Sequence, residues 1–143
     1  MSPYLLDVNV MIAIIDAQHV DHRRAKRWFE STDDLHWLSC PLTQNGVIRI
    51  LSNPRYSVGI TPSRAMKSLR ILLTRGQHQF VSDSISILDP DIVDSNHLLS
   101  HNQITDTYLL ALAAAYNASL ATFDRRLVTA AVRSEKKSVY LIP

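Results

Sequence analysis

One cysteine, three glycines and the lack of any long apolar run set the first limits on this 143-residue chain. The lone Cys40 cannot make an internal disulfide. It follows Trp37-Leu38-Ser39 in a strand-like segment, so it is expected to be a small buried hydrophobe without chemistry. No segment approaches the roughly 20 apolar residues of a membrane span. Met1-Ser2-Pro3-Tyr4 also lacks the basic region and apolar stretch of a signal peptide, so a cytoplasmic protein with no membrane association is expected. Internal repeats, low-complexity tracts and linker-like shifts are missing too, and with so few Gly and Pro the elements must follow closely on one another. Neither sign of charge dominates: the net charge is +2 and the pI about 8.9, which permits an acidic partner without identifying one. Arg23-Arg24-x-Lys26-Arg27, Arg125-Arg126 and Lys136-Lys137, each taken alone, read as solvated faces.

What is present suits one continuous core. With 46% hydrophobic and 20% charged residues, the chain is expected to form a single domain over 1–143. Tyr4-Leu5-Leu6 reads as a short strand ending in Asp7, and Val8 to Asp16 as a buried helix. His22 to Ser31 has Ala25, Trp28 and Phe29 on one helical face and the basic cluster on the other. A strand over His36–Cys40 leads into a helix started by Pro41 and Thr43, with Val47, Ile48 and Leu51 inward, and Asn53-Pro54 breaks it after about Ser52. Thr61-Pro62 opens a further helix carrying Ala65, Met66, Leu69, Leu72 and Leu73 up to Gly76. A strand over His78–Ser82, an unassigned stretch over Ser84–Val93, a mostly apolar helix over Ile104–Asn117 and a strand over Ser119–Phe123 come next. A short helix over Arg125–Arg133 and a strand over Val139–Ile142 complete the reading. Strands alternating with helices predict an α/β domain with a mainly parallel sheet, whose ligand crevice lies beyond the carboxyl ends of the strands.

Asp7 and Asp124 each follow a short apolar strand, and Asp106 opens the apolar helix behind Thr105, a possible cap. Each aspartate alone is accounted for as a capping or first-turn acid. If they converge, each raises the others' cost of ionising, and a divalent cation relieves the conflict. Carboxylate oxygens are hard ligands suited to Mg²⁺ or Mn²⁺. Asn9 either orients Asp7 and holds a water or caps the first helix. Gln44 falls on the inward face with Val47 and Ile48, as a site residue or a satisfied core amide.

In order along the chain stand Leu5-Leu6-Asp7-Val8-Asn9, Cys40 to Leu51, Ile104 to Ala113, and Leu120-Ala121-Thr122-Phe123-Asp124. This ordered set resembles the PIN-domain family, in its VapC-like toxin branch. The resemblance implies a three-layer α/β/α fold and an acidic, metal-binding pocket that hydrolyses single-stranded or loop RNA. Asp7, Asp106 and Asp124 match the family's acidic positions and would hold the metal. Thr122 matches a position where the family often has Ser or Thr. Asn9, Gln44, Thr105 and Thr122 would then support the ligands, and Arg49, Arg125 and Arg126 would take flanking phosphates. A homodimer and a small antitoxin protein are also implied. Gln44 departs from the pattern, standing where many members carry glutamate; Glu30, Asp91 and Asp94 are acids that either substitute for it in space or stand solvated on the surface.

Three further possibilities compete with this one. Asp7-Val8-Asn9 is similar to the start of haloacid-dehalogenase phosphatases, but Asn9 cannot be their second aspartate. A PIN-like fold weakened through Gln44 would be an RNA- or protein-binding module. His19-x-x-His22 and His97-x-x-x-His101 have zinc-compatible spacing without a cysteine pair.

Overall fold

In the computed structural model, which describes residues 2–143, Leu5 and Leu6 leave their strand toward opposite faces and so begin the two halves of the core. The chain runs β1 (Tyr4–Leu6), α1 (Val8–Ile15), α2 (His22–Ser31), β2 (His36–Ser39), α3 (Pro41–Leu51), α4 (Pro62–Leu73), β3 (Gln77–Phe80), α5 (Ile104–Ala115), β4 (Ser119–Thr122) and β5 (Val139–Leu141). Single 3₁₀ turns at Ser95–His97 and His101–Gln103 precede α5. Leu5, Leu38, Leu120 and Val139 pack against α5, while Leu6, Trp37, Ala121 and Tyr140 pack against α1 to α4. The result is the three-layer α/β/α arrangement anticipated from the sequence. No helix among the described residues is long and apolar enough to cross a membrane.

All five strands are parallel, in the order β3-β2-β1-β4-β5. The chain builds outward from β1 to β3, then returns to the other side of β1 for β4. The order therefore reverses between β1 and β4, where open α/β sheets have their crevice. Asp7 N–H donates to Ala121 O at 3.0 Å, extending the β1–β4 pairing to the lip of that crevice.

Local chemistry sets the boundaries. Thr61 Oγ1 caps α4 by accepting from Arg64 N–H, with Pro62 at the first helical position. Thr43 Oγ1 accepts from Cys40 N–H at 3.0 Å at the start of α3, and Cys40 is fully buried as expected. Asn117 ends α5 with φ 55°, a conformation Asn tolerates. Gly76 sits at φ 63° with Leu35 O 2.7 Å from where a Cβ would lie, so this turn admits glycine alone without distortion.

Three expectations need correction. Arg125–Arg133 is a series of turns, not a helix. Its backbone is bound elsewhere: Arg126 N–H to Asp124 Oδ1 at 2.8 Å, Arg133 N–H to Ile92 O at 3.0 Å, and the Thr129 and Val132 carbonyls to Lys137 Nζ. Val132 pairs antiparallel with Val93 in an isolated bridge, so this loop closes over the 84–93 stretch. Thr105 is not a cap but the second residue of α5, because the helix is entered from a 3₁₀ turn whose Ser100 accepts from Asn102 N–H. Asn9 does not cap α1; Asp7 does, with Oδ1 accepting from Val8 N–H at 2.8 Å.

Candidate metal centre

The ends of β1 and β4 are joined by one hydroxyl. Thr122, buried as the last residue of β4, donates from Oγ1 to Asp7 Oδ2 at 2.9 Å and accepts from Asp124 N–H at 3.1 Å. Asp124 turns back on its own chain, its Oδ1 accepting from Arg126 N–H. Asp106 projects from the first turn of α5, half-buried.

The three carboxylates act on one another electrostatically. Burial pushes Asp106 up to about 6, and the charges of Asp7 and Asp124 push it the same way. Burial also raises Asp7, against the lowering effect of its bonds from Thr122 and Val8, and Asp124 adds to the rise. No basic side chain acts on either group, and among the described residues none of the three is ion-paired.

Two grooves meet at Asp124. One, of about 250 Å³, is bordered by Asp106, Gln103 and Arg126; the other, of about 230 Å³, by Asn9, His19, Asp21, Thr122 and Phe123. Among the described residues no group of three or more His, Cys, Asp or Glu side chains is drawn together as a metal-binding cluster. Hard oxygen donors, raised pKa values and no neutralising side chain fit a Mg²⁺-like cation, which keeps waters and tolerates few protein ligands.

Not every expected site residue joins this group. Gln44 Nε2 donates to Ser39 Oγ at 3.0 Å, and Ser39 Oγ lies 2.7 Å from His78 Nε2. Burial lowers the pKa of His78, favouring the neutral ring. Gln44 thus bonds on the β2–β3 side through its amide nitrogen and remains partly exposed. Thr105 is exposed and makes no side-chain hydrogen bond among the described residues. Glu30 is paired with Arg75 at 2.9 Å and Asp94 with His97 at 3.0 Å, while Asp91 borders a separate groove, so none of these acids replaces a carboxylate at position 44. The spaced histidines bond to nearby backbone: His22 Nδ1 is 2.7 Å from Ala13 O, and His19 Nδ1 accepts from Asp21 N–H.

The model of the PIN domain matches residues 4–132, nearly the whole chain. This chain belongs to the PIN-domain family. It is 42% identical over 133 residues to Ribonuclease VapC44 of Mycobacterium tuberculosis, covering 93% of this chain and 94% of that one. It is 35% identical to Ribonuclease VapC38 over 96% of both chains. It is 37% identical to Ribonuclease VapC39 over 89% of this chain and 92% of the relative, both from the same organism. Within this PIN domain, sequence reasoning missed Ser39 and His78 as partners of Gln44, and His19, Asp21 and Phe123 as groove walls. Only Phe123 carried a local signal, as the neighbour of Asp124; the others are brought in by strand pairing and by the α1–α2 turn.

Proposed function

We propose that this PIN domain is a metal-dependent endoribonuclease, hydrolysing RNA phosphodiester bonds with Mg²⁺ or Mn²⁺, and the toxin of a toxin–antitoxin pair. The observation that carries this reading is that Thr122 links Asp7 to Asp124 at the sheet's reversal point and Asp106 borders one groove with Asp124, while among the described residues none of the three is ion-paired. Similarity to VapC ribonucleases supports the choice of RNA.

Asp7, Asp106 and Asp124 would hold the cation, which when bound supplies a Lewis acid that activates water and offsets charge on the phosphate. Thr122 fixes the Asp7 carboxylate by donating to Oδ2. Asp106, ordinarily protonated below about 6, is ionised and able to bind a cation at neutral pH. Asn9 borders the groove beside Asp124, and Arg126 is placed to meet a substrate phosphate on the other side. Gln44 lends no charge, so the site carries three carboxylates. A small antitoxin protein, a homodimer and a cytoplasmic setting belong to the same proposal.

The test is cleavage of a labelled RNA with single-stranded and hairpin regions during Mg²⁺ and Mn²⁺ titration, for wild type, Asp7→Asn and Asp106→Asn. Metal-dependent cleavage that both substitutions abolish is expected. RNA binding without cleavage, indifferent to metal and to both substitutions, would overturn the proposal and leave a binding module.

A further inference from the structure

On α2, exposed Arg23, Lys26 and Arg27 and half-buried His22, whose Nδ1 is 2.7 Å from Ala13 O, border with Glu30 a concave surface of about 350 Å³. Glu30 is engaged by Arg75 at 2.9 Å, so the concavity is effectively cationic. None of the ion pairs or side-chain hydrogen bonds among the described residues uses Arg23, Lys26 or Arg27. Arg24, by contrast, is committed: it pairs with Asp21 at 3.3 Å, donates to Ile142 O at 2.7 Å and lies 4.8 Å from the centre of the Phe123 ring.

Arg24 and Phe123 link this surface to the acidic centre. Phe123 borders the groove that contains Asp124, and Asp21, which also borders that groove, immediately precedes His22 at the start of α2. The cationic concavity and the acidic groove therefore meet at the α2 N-terminus, with a partly exposed aromatic ring at the junction. An anionic polymer would be repelled by the three aspartates without a cation, and a cationic strip beside them offsets that repulsion at long range. Positive side chains tracking a backbone beside an aromatic platform are the elements of single-stranded nucleic-acid binding.

We propose that His22, Arg23, Lys26 and Arg27 on α2 form a docking track for the sugar–phosphate backbone of single-stranded RNA, which passes over Phe123 to Asp124. The track gives the protein a substrate footprint extending beyond the scissile bond. Its contacts are to phosphate, so it adds affinity and reach without reading sequence. The inference rests on the reading of the acidic centre as an RNA-cutting site.

The experiment separates the two. Anisotropy in EDTA, across a range of KCl, follows binding of an unstructured RNA of about 20 nucleotides to three proteins. These are wild type, the combined Arg23→Ala, Lys26→Ala and Arg27→Ala variant, and a charge-keeping Arg23→Lys with Arg27→Lys variant. Cleavage of the same RNA and of an RNA of about 4 nucleotides is measured with Mg²⁺ or Mn²⁺. The alanine variant is expected to bind the long RNA at least about tenfold more weakly, with a log–log salt slope shallower by about 2 for three lost contacts. The lysine variant should bind like wild type, and the short RNA should be cut equally by all three. An alanine variant with wild-type affinity and salt slope would overturn the track, as would a wild type that binds an acidic peptide in preference to RNA. A wild type that binds RNA through this strip but never cuts it would retain the track and overturn the ribonuclease reading.

Discussion

Thr122 Oγ1 donates to Asp7 Oδ2 across 2.9 Å, so the last residue of β4 holds the first residue after β1. The hydroxyl also accepts from Asp124 N–H, so one lone pair and its proton serve both strand ends. Thr122→Val keeps the shape and removes this link. Metal affinity measured by calorimetry should fall about 10–100-fold, the range for losing a partner of a ligating carboxylate. Unfolding in denaturant should become easier by about 1–2 kcal/mol, because a partly buried carboxylate loses its donor. Unchanged metal affinity would mean that Asp7 is held by Val8 N–H alone.

Asp106 makes the metal-free protein sensitive to pH. Its folded pKa, about 6, lies above the ordinary 3.8, so the folded state takes up a proton more readily than the unfolded state. Stability should rise as pH falls from 7 through 6 and level off below about 4, where both states are protonated. Because the carboxyl is half exposed, the gain is on the order of 1 kcal/mol after allowance for solvent screening. Melting in EDTA should show this rise in wild type and a smaller rise in Asp106→Asn, where Asp7 alone of the pair keeps a raised pKa. A flat wild-type profile between pH 7 and 5 would contradict it.

Gln44→Glu tests whether α3 belongs to the centre. The second turn of α3 lies near the start of α1, since the Gly46 Cα approaches Val8 so closely that a Cβ would meet its Cγ2 at 2.9 Å. Adding a carboxylate there should tighten Mg²⁺ or Mn²⁺ binding about tenfold and lower the metal-free melting temperature, as a further charge joins the aspartates and Ser39 loses its amide donor. A lowered melting temperature with unchanged metal affinity would assign Gln44 to the Ser39–His78 network alone.

Gly76→Ala is expected to destabilise the fold by about 2 kcal/mol or more, measured by denaturant unfolding. The added methyl would stand 2.7 Å from Leu35 O at a φ of 63°, which strains both the backbone and the β2–β3 junction. Metal binding should persist at temperatures where the variant remains folded, because the turn lies on the β3 side of the sheet and away from Asp7 and Asp124.

Much of this architecture is written in short-range patterns. Apolar triplets followed by Asp7 and Asp124 mark strand ends, Thr61-Pro62 marks a helix start, and the spacing of Ala25, Trp28 and Phe29 marks a buried stripe, because capping and periodicity act over a few residues. Those signals, with the ordered resemblance along the chain, placed the fold, with Asp7 and Asp124 just beyond β1 and β4 and Asp106 in the first turn of α5. Long-range contacts settled the rest. Arg125–Arg133 has local features of a helix, yet its carbonyls and amides are taken by Lys137, Ile92 and Asp124. Gln44 faces inward as its periodicity indicates, but pairing of β2 with β3 brings Ser39 and His78 to its amide. The union of α2's basic face with the acidic groove depends on the α1–α2 turn and on Arg24 reaching Phe123, 99 positions away in the chain. Residue type and local spacing specify which groups can bond; chain reversal at β1 and β4 specifies which of them meet.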